Sequence, residues 1–369
     1  MEWEILAFIV LIISTLLQLI YQWFFLSRLI FYKPKSTNVK AQPVSIVICA
    51  KNEYENLKKY LPQILEQEHP DFEVVLVNDQ SADGSNKLLK SFQSQYPHLN
   101  VVNLTKNVNF FKGKKLPLSI GIKSAKHENL VLTDADCRPS SPYWLQNMQK
   151  KLSNGHKIVL GYGAYEKRKG FFNSLIRYDT LTVAMNYFSF ALAGLPYMGV
   201  GRNLAYKKNL FYQAGGFISH YRIASGDDDL FINQTANSKN TTIEINPESF
   251  TYSLPKNTLK NWFIQKKRHF STGKYYKKKH KLLLSLFAIS NFAFYVSLII
   301  IIFFTKFWLW GIIAFIIRTL GLLINYYFSA KKFNENILFL YSPIYDIIFT
   351  LFNPIILISD FLYRNNKWK

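Results

Sequence analysis

Apolar positions along the chain fall into two regimes. At both ends they form long runs with few charges; between the ends they come in short bursts separated by polar turns. Residues 5–25 make an uncharged run of membrane-spanning length, and residues 282–304 and 307–327 make two more. Residues 337–362 are also apolar but are interrupted by Pro343, Asp346, Pro354 and Asp360. They read as either a further span or a re-entrant pair. In the middle, apolar runs at 44–50, 72–77, 101–104 and 130–133 have the composition of buried strands. The stretches between them repeat apolar residues at helical spacing, as at Leu57, Tyr60, Leu61, Ile64 and Leu65. Strand and helix alternate, which predicts an α/β fold on a mostly parallel, doubly wound sheet. Beyond residue 136 the pattern loosens. Residues 158–163 read as a strand. Residues 171–193 read as a helix, resting on a membrane surface or buried in a core, because Arg177, Asp179 and Asn186 rule out a span.

Charge sharpens the reading of the ends. Lys and Arg number 45 against 23 Asp and Glu, a net charge of +22. A nucleic-acid partner could explain such a balance, but no nucleic-acid motif is present. Much of the charge flanks the apolar runs, which suits an anionic membrane surface. Arg28, Lys33, Lys35 and Lys40 follow the first run, while Glu2 and Glu4 precede it. This asymmetry predicts an integral membrane protein whose next domain is cytoplasmic. Trp23, Phe24 and Phe25 stand where a cleavage site would be, so the first run reads as an anchor. Residues 258–276 alternate aromatic and basic side chains, as a helix on lipid headgroups would. The expected division is 1–32 anchor, 43–257 α/β domain, 258–281 interfacial helix and 282–369 membrane segments. The two cysteines, Cys49 and Cys137, are too few for a disulfide framework and are expected to be reduced.

Candidate chemistry gathers at the predicted strand ends. The run at 130–133 ends in Asp134-Ala135-Asp136, and hard carboxylate oxygens there suit Mg²⁺ or Mn²⁺ and, through the ion, a diphosphate. A dinucleotide fingerprint is excluded, because Ala50-Lys51-Asn52-Glu53 stands where Gly-x-Gly-x-x-Gly would be needed. Three further elements accompany the aspartates in order: Asn78-Asp79, Gly226-Asp227-Asp228-Asp229-Leu230 and Gln265-Lys266-Lys267-Arg268-His269.

These elements together resemble family 2 glycosyltransferases, inverting enzymes with a GT-A fold, over roughly residues 43–276. The resemblance extends to membrane-bound members similar to ceramide glucosyltransferase and to polysaccharide synthases. Val77-Asn78-Asp79-Gln80-Ser81-Ala82-Asp83-Gly84 is similar to the family's Val-Asp-Asp-x-Ser-x-Asp-Gly turn, with Asn78 replacing the first Asp. The resemblance implies that Asp79 and Glu53 contact the nucleoside and that Lys114 lies near the nucleotide. Asp134 and Asp136 would reach the ribose and the metal-bound diphosphate, with Asp136 on the metal. Glu-Asp-x-Asp-Leu aligns on Gly226 to Leu230, which implies Asp227 as general base with Asp228 as the alternative. Gln265 and Arg268 match Gln-x-x-Arg-Trp, with His269 in place of Trp, and would serve the acceptor and diphosphate. The implied reaction moves a sugar from a nucleotide-sugar donor, a UDP-sugar by preference, to a lipid or lipid-linked acceptor. The competing readings are a processive polysaccharide synthase and an inactive scaffold subunit.

Overall fold

The computed structural model describes residues 2–34, 40–104, 113–153 and 155–362. Lys35, used above for orientation, lies outside the described residues. The central strands are β1 (Val44–Ala50), β2 (Phe72–Asp79), β3 (Leu99–Leu104) and β4 (Asn129–Asp134). They are followed by the short β5 (Cys137–Pro139), β6 (Ile158–Leu160) and β7 (Gly163–Tyr165), then β8 (Leu204–Lys207), β9 (Thr241–Ile243) and β10 (Thr251–Ser253). A seven-stranded sheet runs in the order β3-β2-β1-β4-β8-β6-β9, and a three-stranded sheet in the order β5-β10-β7. β1, β2, β3 and β4 are mutually parallel, while β8 runs antiparallel to β4. The sheet is thus mixed where the sequence pattern weakens, and parallel where the apolar runs are continuous. Ile46, Val47, Val74, Val75, Leu130 and Val131 are fully buried, because helices cover both faces. The predicted strand at 158–163 is two strands, broken at Gly161-Tyr162, and they join different sheets.

Four helices among the described residues are long and apolar enough to cross a membrane: Glu2–Phe31, Lys278–Phe304, Trp308–Lys332 and Leu338–Ser359. The first changes to a π-helical turn at Tyr21–Leu26. The last is one helix, Leu338–Leu362, in place of a broken pair. Pro343 cannot donate to the Phe339 carbonyl four residues back, and the Ser342 hydroxyl takes that carbonyl at 2.7 Å. The helix Phe171–Leu192 is a core helix. Its buried residues include Leu175, Ile176, Tyr178, Leu181, Met185, Tyr187 and Phe188, which leaves no single apolar face for a membrane surface. Tyr187 donates to the Gly161 carbonyl of the sheet layer at 2.8 Å. On the other side Tyr178 stacks on Tyr326 and Phe25 stacks on Phe190. This helix therefore joins the α/β domain to the first and third apolar helices.

Candidate active site

The strand order turns at β1, which has β2 on one side and β4 on the other. Crevices for ligands form at the carboxyl ends of strands around such a switch point. The β1–β4 register sets Cys49 beside Asp134. Burial pushes the Cys49 thiol up to about 12, so it stays neutral on the crevice floor. Both cysteines are free, as expected.

Asp79 ends β2 at 1% exposure. Its Oδ2 lies 3.4 Å from Lys51 Nζ, and its Oδ1 is buried with no hydrogen-bond partner among the described residues. A buried carboxylate oxygen of this kind is costly unless a ligand donates to it. The turns after β1 and β2 are laced together. Asn52 N donates to Ser81 Oγ at 2.9 Å, Ala82 N to Asn52 Oδ1 at 2.8 Å, and Tyr54 N to Asp83 Oδ2 at 2.8 Å. Glu53 sits at this junction and accepts from Asn56 Nδ2 at 2.6 Å. Asn78, the departure from the acidic pair, donates to Asn103 Oδ1 at 3.0 Å and to Asn86 Oδ1 at 2.5 Å. It ties β2 to β3 and to the following helix.

At the end of β4, Asp134 is ion-paired to Lys114. Burial pushes the Asp134 carboxyl up, but Lys114, with Arg202 and Arg268 behind it, outweighs burial and holds it below the usual range. Asp136 goes the other way: burial, then the Asp134 charge, push it up. Ligand atoms of Asp134, Asp136 and Cys137 all lie within 4.8 Å of one another. Two hard carboxylates at this spacing fit a divalent ion, whose charge would oppose the upward shift of Asp136.

The three consecutive aspartates have different surroundings. Asp229 is buried, accepting from Thr272 Oγ1 and, at 2.7 Å, from Tyr276 Oη. Asp228 caps the helix Asp229–Thr235: its Oδ1 accepts from Asp229 N at 2.7 Å and its Oδ2 from Gly201 N at 2.8 Å. Asp227 accepts no hydrogen bond among the described residues, is partly exposed, and lies within electrostatic reach of Lys114 and Cys49. Gly226 has φ +97°, and a Cβ there would come within 2.5 Å of Leu230 Cδ1. A Glu at this position would need both a left-handed backbone and a displaced Leu230.

From the helix Leu259–Gly273, Gln265 Nε2 donates to Tyr165 Oη at 3.0 Å. Arg268 Nε is buried without a hydrogen-bond partner among the described residues, and its charge acts on Asp134. The helix is fixed by the Lys266–Asp179 ion pair at 2.7 Å and by Trp262 stacked on Phe352. Sequence reasoning missed Arg202. Its guanidinium lies 4.3 Å above the Tyr165 ring, donates to Ser253 Oγ at 2.9 Å, and acts on both Asp134 and Asp136. The available signal was a lone arginine two residues before the apolar strand β8.

Residues 45–223 match the sequence model for glycosyl transferase family 2. The probable glycosyltransferase YdaM of Bacillus subtilis (strain 168) is 25% identical over 244 residues, which are 63% of this chain and 55% of YdaM. The poly-beta-1,6-N-acetyl-D-glucosamine synthase of Staphylococcus epidermidis is 29% identical over 102 residues, 28% of this chain and 24% of the synthase. The chain thus spans about a quarter to a little over half the length of these relatives. In three dimensions the chain resembles the mannosyltransferase PcManGT from Pyrobaculum calidifontis, solved in complex with GDP-Man and Mn²⁺. The TM-score is 0.59 at 20% identity, over 95% of this chain and 99% of that one. That likeness fixes the fold as GT-A. The matched segment supplies β2 and β4, whose ends carry Asp79 and Asp134 with Asp136 just beyond, and by that match the chain carries a glycosyl transferase family 2 domain over residues 45–223.

Proposed function

We propose that the chain transfers one sugar, with inversion, from a UDP-sugar to the hydroxyl of a lipid or lipid-linked acceptor at the cytoplasmic face of the membrane. The observation that carries this reading is the convergence on one crevice of the Lys114–Asp134 pair, the uncommitted Arg268 Nε and the uncommitted Asp227 carboxylate. The first two supply positive charge where a diphosphate leaves. The third supplies an acceptor for a proton.

In this reading Asp79 Oδ1 accepts a donor N–H from the base, with Glu53 beside it near base or ribose. Asp134, held ionised by Lys114, takes the ribose hydroxyls. Asp136 is the carboxylate left for a divalent ion, Mg²⁺ or Mn²⁺, which when bound neutralises charge on the diphosphate. Lys114 and Arg268 neutralise the remaining charge as the C1–oxygen bond breaks. The acceptor oxygen bonds to C1 from the opposite face, and its proton passes to Asp227. Gln265, anchored on Tyr165, borders the acceptor side. Basic residues at the domain ends of the apolar helices, among them Arg28, Lys278, Lys279, Lys331 and Lys332, support a cytoplasmic domain.

Purified full-length protein in detergent is expected to hydrolyse at least one of UDP-glucose, UDP-galactose and UDP-N-acetylglucosamine slowly, with Mn²⁺ and not with EDTA. Asp136→Ala should remove most donor binding and nearly all turnover while the protein stays folded. Asp136→Ala turning over like the parent would sink the metal assignment; turnover of GDP-mannose alone would replace the donor. A processive synthase is the second reading, supported by the match to the staphylococcal synthase. Product length separates the two: a single added sugar fits the first, a ladder the second.

A further inference from the structure

The residue after Lys114 has an unusual set of partners. Lys115 opens the helix Lys115–Ser124, and only 3% of it is exposed. A buried ammonium is normally matched by a carboxylate. The Lys115 ammonium instead donates to three backbone carbonyls: His220 at 2.7 Å, Ile223 at 2.6 Å and Ser225 at 2.7 Å. That uses all three of its donors. All three acceptors belong to one loop, which continues directly into Gly226 and Asp227. Charge-assisted hydrogen bonds of this kind are the strong ones. Burial lowers the Lys115 pKa to about 8, and the Asp227 charge is the first that opposes the shift. A second contact holds the same two segments together. Gly113 has φ +150°, and a Cβ on it would lie 2.9 Å from the Ala224 carbonyl oxygen. The loop is therefore packed against the backbone just before Lys114.

We propose that Lys115 is a positioning residue: it ties the loop that carries Asp227 to the helix start that carries Lys114, fixing the proton acceptor relative to the diphosphate-binding cation. The proposal rests on the reading of Asp227 as base. Its consequence is mechanical. Lys114 and Lys115 are neighbours, so the cation facing the donor and the clamp on the base loop share one helical turn. Loss of the clamp frees the loop without removing any group from the donor crevice. Misplacement of a reacting group by about 1 Å can cost on the order of 10²-fold in rate.

The test uses full-length Lys115→Met, which keeps the stem and deletes the three donors, beside Asp227→Asn and the double variant. Binding of UDP with Mn²⁺ is measured by titration calorimetry. Turnover is measured with whichever of the three UDP-sugars or GDP-mannose the parent hydrolyses, and amide exchange by mass spectrometry over 218–228. Lys115→Met is expected to bind UDP like the parent, to lose about 10²-fold in kcat, and to exchange faster over 218–228 only. In the Asp227→Asn background Lys115→Met should add little further loss, since it acts through a carboxylate already removed. Unchanged exchange over 218–228 overturns the clamp whatever the donor. A full and additive kcat loss in the double variant overturns the route through Asp227. Loss of UDP binding together with kcat makes Lys115 a support of the fold only. Asp227→Asn turning over like the parent defeats the base assignment instead, and exchange in Lys115→Met then still decides the clamp.

Discussion

Three adjacent aspartates of identical chemistry end with different tasks because their partners differ. Asp229 accepts from two hydroxyls and Asp228 from two backbone N–H groups, so both are committed to holding the fold. Asp227 has no such commitment among the described residues. Asp227→Asn is therefore expected to lower kcat by roughly 10²–10⁴-fold, the range for general-base loss, with donor affinity little changed. Asp228→Asn keeps an acceptor at the cap and should do less; abolished turnover there beside a mild Asp227→Asn would shift the base by one residue. Asp228 also carries a pH signature. Burial, then the charges of Asp227 and Asp229, push its carboxyl up to about 7. Between about pH 4 and 7 the folded chain holds this proton and the unfolded chain has released it. The unfolded state then binds fewer protons, so stability falls as pH rises through that window and levels off above it. Unfolding midpoints in detergent from pH 4.5 to 7.5 should drop with pH, less so in Asp228→Asn. An unchanged slope in the variant would remove Asp228 as a source.

At the scale of elements, the last helix behaves unlike the other three. Glu335, just before its start, pairs with Arg177 of the core helix Phe171–Leu192. Near its far end the Ser359 carbonyl accepts from Lys267 of the helix Leu259–Gly273 at 2.7 Å. Both ends thus meet elements that carry or brace the catalytic domain, although the helix has the length to cross a bilayer. The expected consequence is a C-terminus on the domain's side of the membrane. An epitope after Lys369 and a cysteine placed at exposed Lys90 should share one accessibility in intact cells and in inverted vesicles. Opposite accessibilities would make the last helix a full span.

Over the whole molecule, a polar knot joins the apolar helices. Arg318, 1% exposed, donates to Asp346 at 2.7 Å, Tyr295 at 3.0 Å and Asn291 at 2.5 Å, and lies 3.5 Å from Gln18. Its partners come from the other three long helices. Removing one partner of such a buried pair leaves an uncompensated charge and costs about 3–5 kcal/mol, while removing both can be neutral. Asp346→Leu should therefore lower the unfolding midpoint sharply, and Arg318→Leu with Asp346→Leu should recover most of it. A double variant as unstable as the single would show that packing, not charge, holds the bundle. In the proposed cytoplasmic orientation Lys90→Cys should resist an impermeant thiol reagent in intact cells, and ready labelling would reverse the orientation.

The sequence by itself determined what depends on neighbours along the chain. Runs such as 46–50 and 74–77 are apolar at every position because both sheet faces are covered, and that pattern has no other cheap solution. The long terminal runs are legible because a bilayer demands about 20 apolar residues in a row. Asp79, Asp134 and Asp136 stand out for the same reason: each is an acid at or just beyond the end of an apolar strand. Tertiary structure decided what depends on residues far apart. The helix 171–192 fits membrane surface and protein core equally on composition, and only contacts with Gly161, Phe25 and Tyr326 settle it. Which of the aspartates at 227–229 is uncommitted depends on Gly201, Thr272 and Tyr276, 27 to 47 residues away. Arg202 and Lys115 look like ordinary surface charges in the sequence. Their partners, and so their meaning, come from segments 38 to 110 residues distant, and no local pattern encodes a partner at that range.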